Sequence, residues 1–394
     1  MSHLPRTPAS PPVFDPNDPR YWEPRDLEHE LRRTFQICHE CRMCVTYCGS
    51  FPILFDAVDH DIESGRAEGA EKIGPETISE VTDHCWQCKL CFIKCPYTED
   101  EGARELLDFP RLMAREKAQR ARRDGIAIVD RVLGEPQLVG WAGAGRGAPL
   151  ANFVNAQRLV RKGMELTTGI SAEFPLPPLV QEPFSQWLAS HDAAKRKMQH
   201  NVDLLLPHVR RGATIVVPGP TCGYTMKKEW PVYLGSAEAK EVSAATLDLM
   251  EFLDGLRKAK TLNRDFRRGY GVVAYHAPCH LRAQKIAVPG ARLLSQLPDT
   301  DVRIIERCSA VDGTWGMKAK YYEEGRRYAL RMAKAIENEE PDLVITDCSL
   351  ASLRILKENG RPALHPIQAL AVAYGLDDVP GLAGASAPTA EDSP

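Results

Sequence analysis

The chain changes its pattern of apolar and polar residues near residue 195. Before that point apolar positions recur at three and four, the spacing of one helix face. In DLEHELRRTF, Leu27, Leu31 and Phe35 share a face. SFPILFDAVDH and PETISEVTDHC repeat the pattern, and Pro75 suits the first turn of the latter. Residues 108–131 read as one more helix, a basic one carrying Arg111, Arg115, Lys117, Arg120, Arg122 and Arg123. Its charged side is a solvated face or a docking face for an acidic partner or anionic headgroups. After residue 195, short β-branched runs alternate with longer helical ones. Residues 213–219, 271–277, 301–307 and 342–347 read as buried parallel strands, with helical AKEVSAATLDLMEFLDGLRK and YYEEGRRYALRMAKAIENEE between them. Such alternation predicts a doubly wound α/β domain.

The expected order is an extended arm over 1–25, a helical domain over 26–131 and a Gly- and Pro-rich crossover over 132–194. The crossover contains one amphipathic stretch, ANFVNAQRLVRKGMELTTGI, that packs on the helical domain or on a partner. An α/β domain over 195–376 and a disordered tail over 377–394 complete the chain. The fold class is thus α + α/β.

Two copies of C-x2-C-x2-C-x3-C lie in the helical part. The first is Cys38, Cys41, Cys44 and Cys48; the second is Cys85, Cys88, Cys91 and Cys95, with Pro96 behind it. The bacterial ferredoxin run has this form, and in two-cluster proteins its fourth cysteine ligates the other cluster. Three thiolates on one tight turn hold three irons of a cubane, and the fourth iron takes a thiolate from elsewhere. The reading is two [4Fe–4S] clusters, one on Cys38, Cys41, Cys44 and Cys95, the other on Cys85, Cys88, Cys91 and Cys48. Zinc is the rival, but zinc sites usually present two separated pairs, and this spacing suits a tetrahedral site poorly. The long helical spacer between the runs argues for an all-helical two-cluster ferredoxin fold over the compact β-rich one. Tyr47, Phe51, Trp86, Phe92 and Tyr97 lie among the ligands and shield the clusters from water.

Composition narrows the setting. With 394 residues, 43% of them hydrophobic, the chain has room for about two or three domains. A net charge of -3 gives no reason to expect nucleic acid. Twelve cysteines behind a start without an apolar signal core point to reduced, metal-binding thiols in the cytoplasm. No stretch approaches the ~20 apolar residues of a spanning helix. Membrane association is then at most peripheral, on the inner face of the cell membrane.

The other four cysteines, Cys222, Cys279, Cys308 and Cys348, each stand just past a predicted strand, in IVVPGPTC, VVAYHAPC, VRIIERC and LVITDC. In open α/β sheets ligands bind beyond the carboxyl ends of the strands, so four thiols there converge on one site unless they merely fill core. Flanking these cysteines, His276 and His280 are candidate metal ligands or donors to a quinone carbonyl, with a strand-end hydrogen bond to backbone as the plain alternative. Arg282 and Lys285 are candidates for an anionic ligand. Asp312, Trp315 and Lys318 form a binding lip or simply pack.

The phrases PGPTCGYTMKKEWP, YHAPCHLRAQKI, ERCSAVDGTWGMK and TDCSLASLRI, with the double cysteine run, resemble the heterodisulfide-reductase-related iron–sulfur oxidoreductases with cysteine-rich CCG domains. That family includes iron–sulfur (C) subunits of anaerobic glycerol-3-phosphate dehydrogenase, glycolate-oxidase iron–sulfur subunits and proteins that accompany rubrerythrin. The resemblance runs from about Asp26 to Leu376. A full CCG repeat supplies a lone cysteine, an adjacent pair with glycine, then C-x2-C. Here Thr221 precedes Cys222-Gly223, and Ser309 and Ala351 stand where partners of Cys308 and Cys348 are expected. A serine oxygen replaces a bridging thiolate poorly. What remains on Cys222, Cys279, Cys308 and Cys348 is a single [4Fe–4S] cluster, a zinc ion or a bare thiol site.

No G-x-G-x-x-G follows a predicted strand and no Walker-type loop is present, so no flavin or nicotinamide fingerprint is legible. The resemblance implies an electron-transfer subunit, not a stand-alone enzyme, working between a flavoprotein dehydrogenase and a quinone or a rubrerythrin-like, peroxide-reducing partner. The alternative is a thiol/disulfide reductase that uses the C-terminal cysteines as its own active site.

Overall fold

Leu27, Leu31 and Phe35 are buried along helix α1 (Pro24–Cys41), which continues through the first two cysteines before Arg42 ends it at φ 52. The computed structural model describes residues 4–126, 130, 148–176, 194–311 and 315–376. Much of the expected crossover (131–147 and 177–193), Asp312 and the 377–394 tail lie outside the described residues. The chain divides into two units, Met1–Ala127 with Val232–Gly235, and Ile128–Pro231 with Ser236–Pro394.

The first unit is helical, with no strand among its described residues. After α1 come α2 (Ser50–Glu63), α3 (Pro75–Asp83), the short α4 (Leu90–Lys94) and α5 (Phe109–Asp124). Phe35, Phe51, Phe55 and Phe109 pack between α1, α2 and the start of α5, and Ser50 Oγ donates to Val81 O at 2.8 Å where α2 meets α3. Asp108 caps α5, and Gly125 at φ 82 closes it, short of the expected end.

The basic side of α5 is not a free face. Arg115 is wholly buried; its Nε donates to Tyr21 O at 2.8 Å and it pairs with Asp26 at 2.9 Å. Lys117 Nζ donates to Cys85 O at 3.0 Å, Arg120 pairs with Asp83, and Arg122 lies over the Trp22 ring. These cations bind the segment before α1 and the second cysteine loop to the unit. A charge pattern shows that cations are present but not which internal acceptors they meet.

The second unit is α/β. Strands β1 (Ile215–Val217) and β2 (Thr246–Asp248) form one parallel pair. β3 (Gly271–His276), β4 (Thr300–Ile305), β5 (Leu343–Thr346) and β6 (Ala363–Leu364) form a parallel sheet in the order β4-β3-β5-β6. Alternate residues of β3 and β5 face opposite ways. Val273, Tyr275, Leu343 and Ile345 meet the helices Leu249–Lys258, Pro289–Leu294 and Pro366–Ala373. Ala274 and Val344 meet Met332, Ile336 and Ile355 from the helices Ala319–Glu337 and Ser349–Asn359. Helices on both faces make it doubly wound, and burial on both faces explains the apolar runs of β3 and β5; β4, at the sheet edge, and β1 are not the buried strands that their sequences predict, and Ile304 is 49% exposed.

Two strands escaped the sequence reading. The stretch 239–258, whose pattern predicts one helix, breaks at Ala245; Thr246–Asp248 becomes β2, and Asp248 with Glu251 forms a capping box for the next helix. β6 has two residues, too few for any period to register. From β3 the chain moves to β4 on one side; from β5 it moves to β6 on the other. The crevice beyond the carboxyl ends of β3 and β5 is therefore the topological switch point.

Candidate metal centres

Helix α1 carries Cys38 and Cys41 on its last turn. The left-handed Arg42, whose N–H bonds Cys38 O at 2.8 Å, folds the chain back so that Cys44 joins them. In the second run Gln87 (φ 52) and Lys89 (φ 63) bend the loop that holds Cys85 and Cys88; Cys91 lies in α4 and Cys95 just after it.

These bends create two cavities. One, of about 30 Å³, is lined by Cys38, Cys41, Cys44 and Cys95 beneath Phe51, Phe55 and Tyr97. The other, of about 10 Å³, is lined by Cys48, Cys85, Cys88 and Cys91 beneath Tyr47, Phe51 and Trp86. Each ring takes three thiols from one run and the last thiol of the other, the same two sets that the spacing suggested. Phe92 lines neither cavity, while Phe55 and Phe109, which the sequence reading did not single out, each line one.

Burial pushes the Cys38 thiol well above its usual range, and neighbouring Cys95, Cys44 and Cys41 add to it. Cys44 is pushed up to about 12 by burial, then by Cys95 and Cys41. Cys91 is raised by burial, by the Cys88, Cys85 and Cys48 of its own ring, and by Cys44 of the first ring. The two rings are thus near neighbours. Burial, and the repulsion that four adjacent thiolates would feel, keep these thiols protonated around an apolar-walled hollow; a cationic core bound there displaces the protons and offsets that repulsion. The donor set, four cysteine thiols to a ring, fits a thiolate-ligated iron–sulfur cluster in each.

In the second unit, Cys308, Cys279 and Cys348 follow β4, β3 and β5, three neighbouring strands. Cys222 arrives on the short helix Pro220–Tyr224 after β1. Gln284 Nε2 donates to Pro220 O at 3.1 Å and His365 Nε2 to Pro218 O at 3.0 Å, tying that segment to the sheet. Cys222 is exposed, yet its charge reaches Cys348, whose thiol is raised by burial against the opposing N–H groups of Ala351 and Leu350. Among the described residues no group of three or more Cys, His, Asp or Glu is set to hold a single metal ion.

The flanking candidates resolve differently. His276 is buried, with Nδ1 3.0 Å from Thr346 Oγ1 and Nε2 2.9 Å from Arg307 O, so both ring nitrogens are engaged in structural bonds. His280 Nδ1 lies 3.0 Å from Thr221 Oγ1, and its ring stacks on Tyr224. Arg282 pairs with Glu306 at 3.2 Å, Lys285 holds a left-handed turn, Trp315 stacks on Tyr321, and Lys318 pairs with Asp130. One group went unread: Asp347, beside Cys348. Burial pushes its carboxyl up to about 7, although Tyr275 donates to it at 2.6 Å. Its signal is a carboxylate set directly after a strand, Leu343–Thr346, whose every residue is buried.

Residues 24–100 match the model of a 4Fe-4S dicluster domain, and residues 273–354 match that of a cysteine-rich domain. The chain is also similar to the C subunit of anaerobic glycerol-3-phosphate dehydrogenase from Escherichia coli strain K12, with 26% identity over 201 residues. That alignment covers 50% of this chain and 48% of the relative, and the O157:H7 protein gives the same figures. The chain therefore spans about half the length of the curated relatives it matches. No solved structure matches. The family resemblance read from the motifs is borne out, as is the pairing of a helical iron–sulfur region with a parallel α/β domain.

Proposed function

We propose that the chain is an iron–sulfur electron-transfer subunit that passes electrons through two adjacent [4Fe–4S] clusters. Cys38, Cys41, Cys44 and Cys95 hold the first; Cys85, Cys88, Cys91 and Cys48 hold the second. The observation that carries this reading is the pair of neighbouring cavities, each ringed by four thiols drawn from both cysteine runs. A bound [4Fe–4S] cluster takes up and releases one electron at a time. The residues of this chain hold it, screen it with Phe51, Phe55 and Trp86, and set the spacing of two such stops.

The donor on this reading is a flavoprotein dehydrogenase, supported by the similarity to a dehydrogenase subunit. The acceptor is a quinone or a rubrerythrin-like, peroxide-reducing partner. Among the described residues no helix is long and apolar enough to cross a membrane. The proposed setting is the cytoplasm, at the inner face of the membrane where the acceptor is a quinone. Cys222, Cys279, Cys308 and Cys348 form the proposed third centre, an iron–sulfur cluster or zinc.

A stand-alone thiol/disulfide reductase finds one favourable observation, the reach of exposed Cys222 to Cys348. It needs a thiol of lowered pKa, and Cys348 is raised. The deciding experiment is iron, zinc and acid-labile sulfide per chain on protein purified without oxygen, with EPR after reduction. About eight irons with two interacting cubane signals support the two-cluster wire, and about twelve add a third cluster. Zinc with little iron overturns the reading.

A further inference from the structure

Between the cysteines of the second run, two residues hold a backbone conformation that glycine takes at least cost. Gln87 and Lys89 lie at φ 52 and φ 63, a region that costs an ordinary residue about 1–3 kcal/mol. The chain keeps two long polar side chains there, and both lead to Cys85. Gln87 Nε2 donates to Cys85 Sγ at 3.4 Å and to Pro110 O at 2.9 Å. Lys89 Nζ donates to Gln87 Oε1 at 3.3 Å, and Lys89 is only 7% exposed. A cation on the amide oxygen polarises the amide and strengthens the N–H that it gives to sulfur.

Matching positions of the first run carry different chemistry. Counted from the first cysteine, Glu40 stands where Gln87 does and Arg42 where Lys89 does. Arg42 is also left-handed, but its side chain is 45% exposed and pairs with Asp59. Glu40 accepts from Gln36 Nε2 at 2.8 Å and pairs with Arg6. The first run thus has an anion and a solvated, neutralised cation; the second has an amide and a buried cation.

We propose that Lys89, acting through Gln87 on Cys85, raises the reduction potential of the cluster on Cys48, Cys85, Cys88 and Cys91 and makes it the resting place of the electron. This rests on the two-cluster reading above. A thiolate-ligated cluster is anionic and becomes more so on reduction, so a donor to its sulfur and a nearby ammonium favour the reduced form. The deeper burial of this ring's thiols works in the opposite direction, because low dielectric penalises added charge. The same low dielectric strengthens the attraction of the buried ammonium, so Lys89 opposes the penalty where it is largest. Lys89 and Gln87 are positioning residues, not ligands.

Redox titration of the full chain, followed by EPR, tests the inference. Lys89→Gln is expected to lower the higher of the two midpoints by roughly tenfold in the reduction equilibrium, about 59 mV for one electron, and to leave the other in place. Gln87→Glu, which replaces the donor by an anion, lowers it further, whereas Lys89→Arg holds the wild-type value. Arg42→Gln leaves both midpoints where they were. If Lys89→Gln fails to keep its iron, Gln87→Glu carries the same test. With about eight irons retained, unchanged midpoints, equal movement of both, or movement of the lower one overturns the inference. A wild-type chain that binds no clusters overturns the two-cluster reading instead.

Discussion

Phe51 lines both thiol cavities, and its ring lies against Phe109 with centroids 4.8 Å apart. One side chain from the first turn of α2 is therefore a common wall of the two rings, and Phe109, at the start of α5, backs it. Phe51 is 1% exposed, so the wall is dry on both sides. The apolar shell around an iron–sulfur centre limits solvent access and helps to set its potential.

Replacing that wall should affect both clusters together. Phe51→Ala is expected to cost about 3–5 kcal/mol of stability and to speed bleaching of the iron–sulfur absorbance in air. Phe92→Ala, at a residue that lines neither cavity, serves as the comparison. Equal bleaching rates in the two variants would count against Phe51 as a shared screen.

Crossed ligation makes a prediction that runs against sequence proximity. Cys95→Ser should damage the cluster on Cys38, Cys41 and Cys44, and Cys48→Ser the one on Cys85, Cys88 and Cys91. EPR of each reduced variant, with its iron content, separates the cases. Loss of only the neighbouring cluster in sequence refutes the crossing.

The eight cysteines were legible as two runs because their spacing is a local constraint written directly into the chain; the crossed grouping is not local, and it is the cavities that set Cys95 beside the first run and Cys48 beside the second. β3 and β5 were legible because burial on both faces leaves unbroken apolar runs; β4 was legible from its β-branched residues although it is mostly exposed. β2 was hidden because its three residues sit between two helices whose patterns run together, although Asp248 and Glu251 marked the new helix start. The internal use of Arg115 and Lys117, and the reach of Gln87 and Lys89 to Cys85, were not legible. The first depends on partners distant in sequence; the second joins near neighbours and depends on the left-handed backbone at Gln87 and Lys89.

For the strand-end thiols the expected outcome is selective. Cys308→Ala should remove the metal of the proposed third centre and leave about eight irons and the EPR of the two cubanes intact. Cys222→Ala, at the exposed member of the set, should do the same if all four thiols serve one centre. Unchanged iron and zinc in both variants would show that these thiols bind no metal.

His276 gives the second unit a pH dependence of definite sign. Arg307 O is an acceptor only, so Nε2 carries the proton, and Nδ1 accepts from Thr346 Oγ1. Burial, assisted by the charge of Arg282 and opposed by the Arg307 carbonyl, lowers its pKa from 6.5 to about 4. A histidine depressed in the folded state contributes stability that is complete above its unfolded pKa and lost as pH falls toward the folded value. The expected loss from His276 is roughly 2 kcal/mol between about pH 6.5 and about pH 5. Asp248 acts in the opposite sense: burial raises its carboxyl from 3.8 to about 6, so its contribution is present at low pH and is lost as pH rises through about 6. Comparing wild type with His276→Gln separates the two, because Asp248 is common to both. The variant is expected to be less stable near pH 7, where the imidazole's two bonds are intact in the wild type, and the difference should shrink as pH falls to about 5. Unfolding midpoints across that window measure it, and a difference independent of pH would show that His276 titrates alike in the folded and unfolded chain.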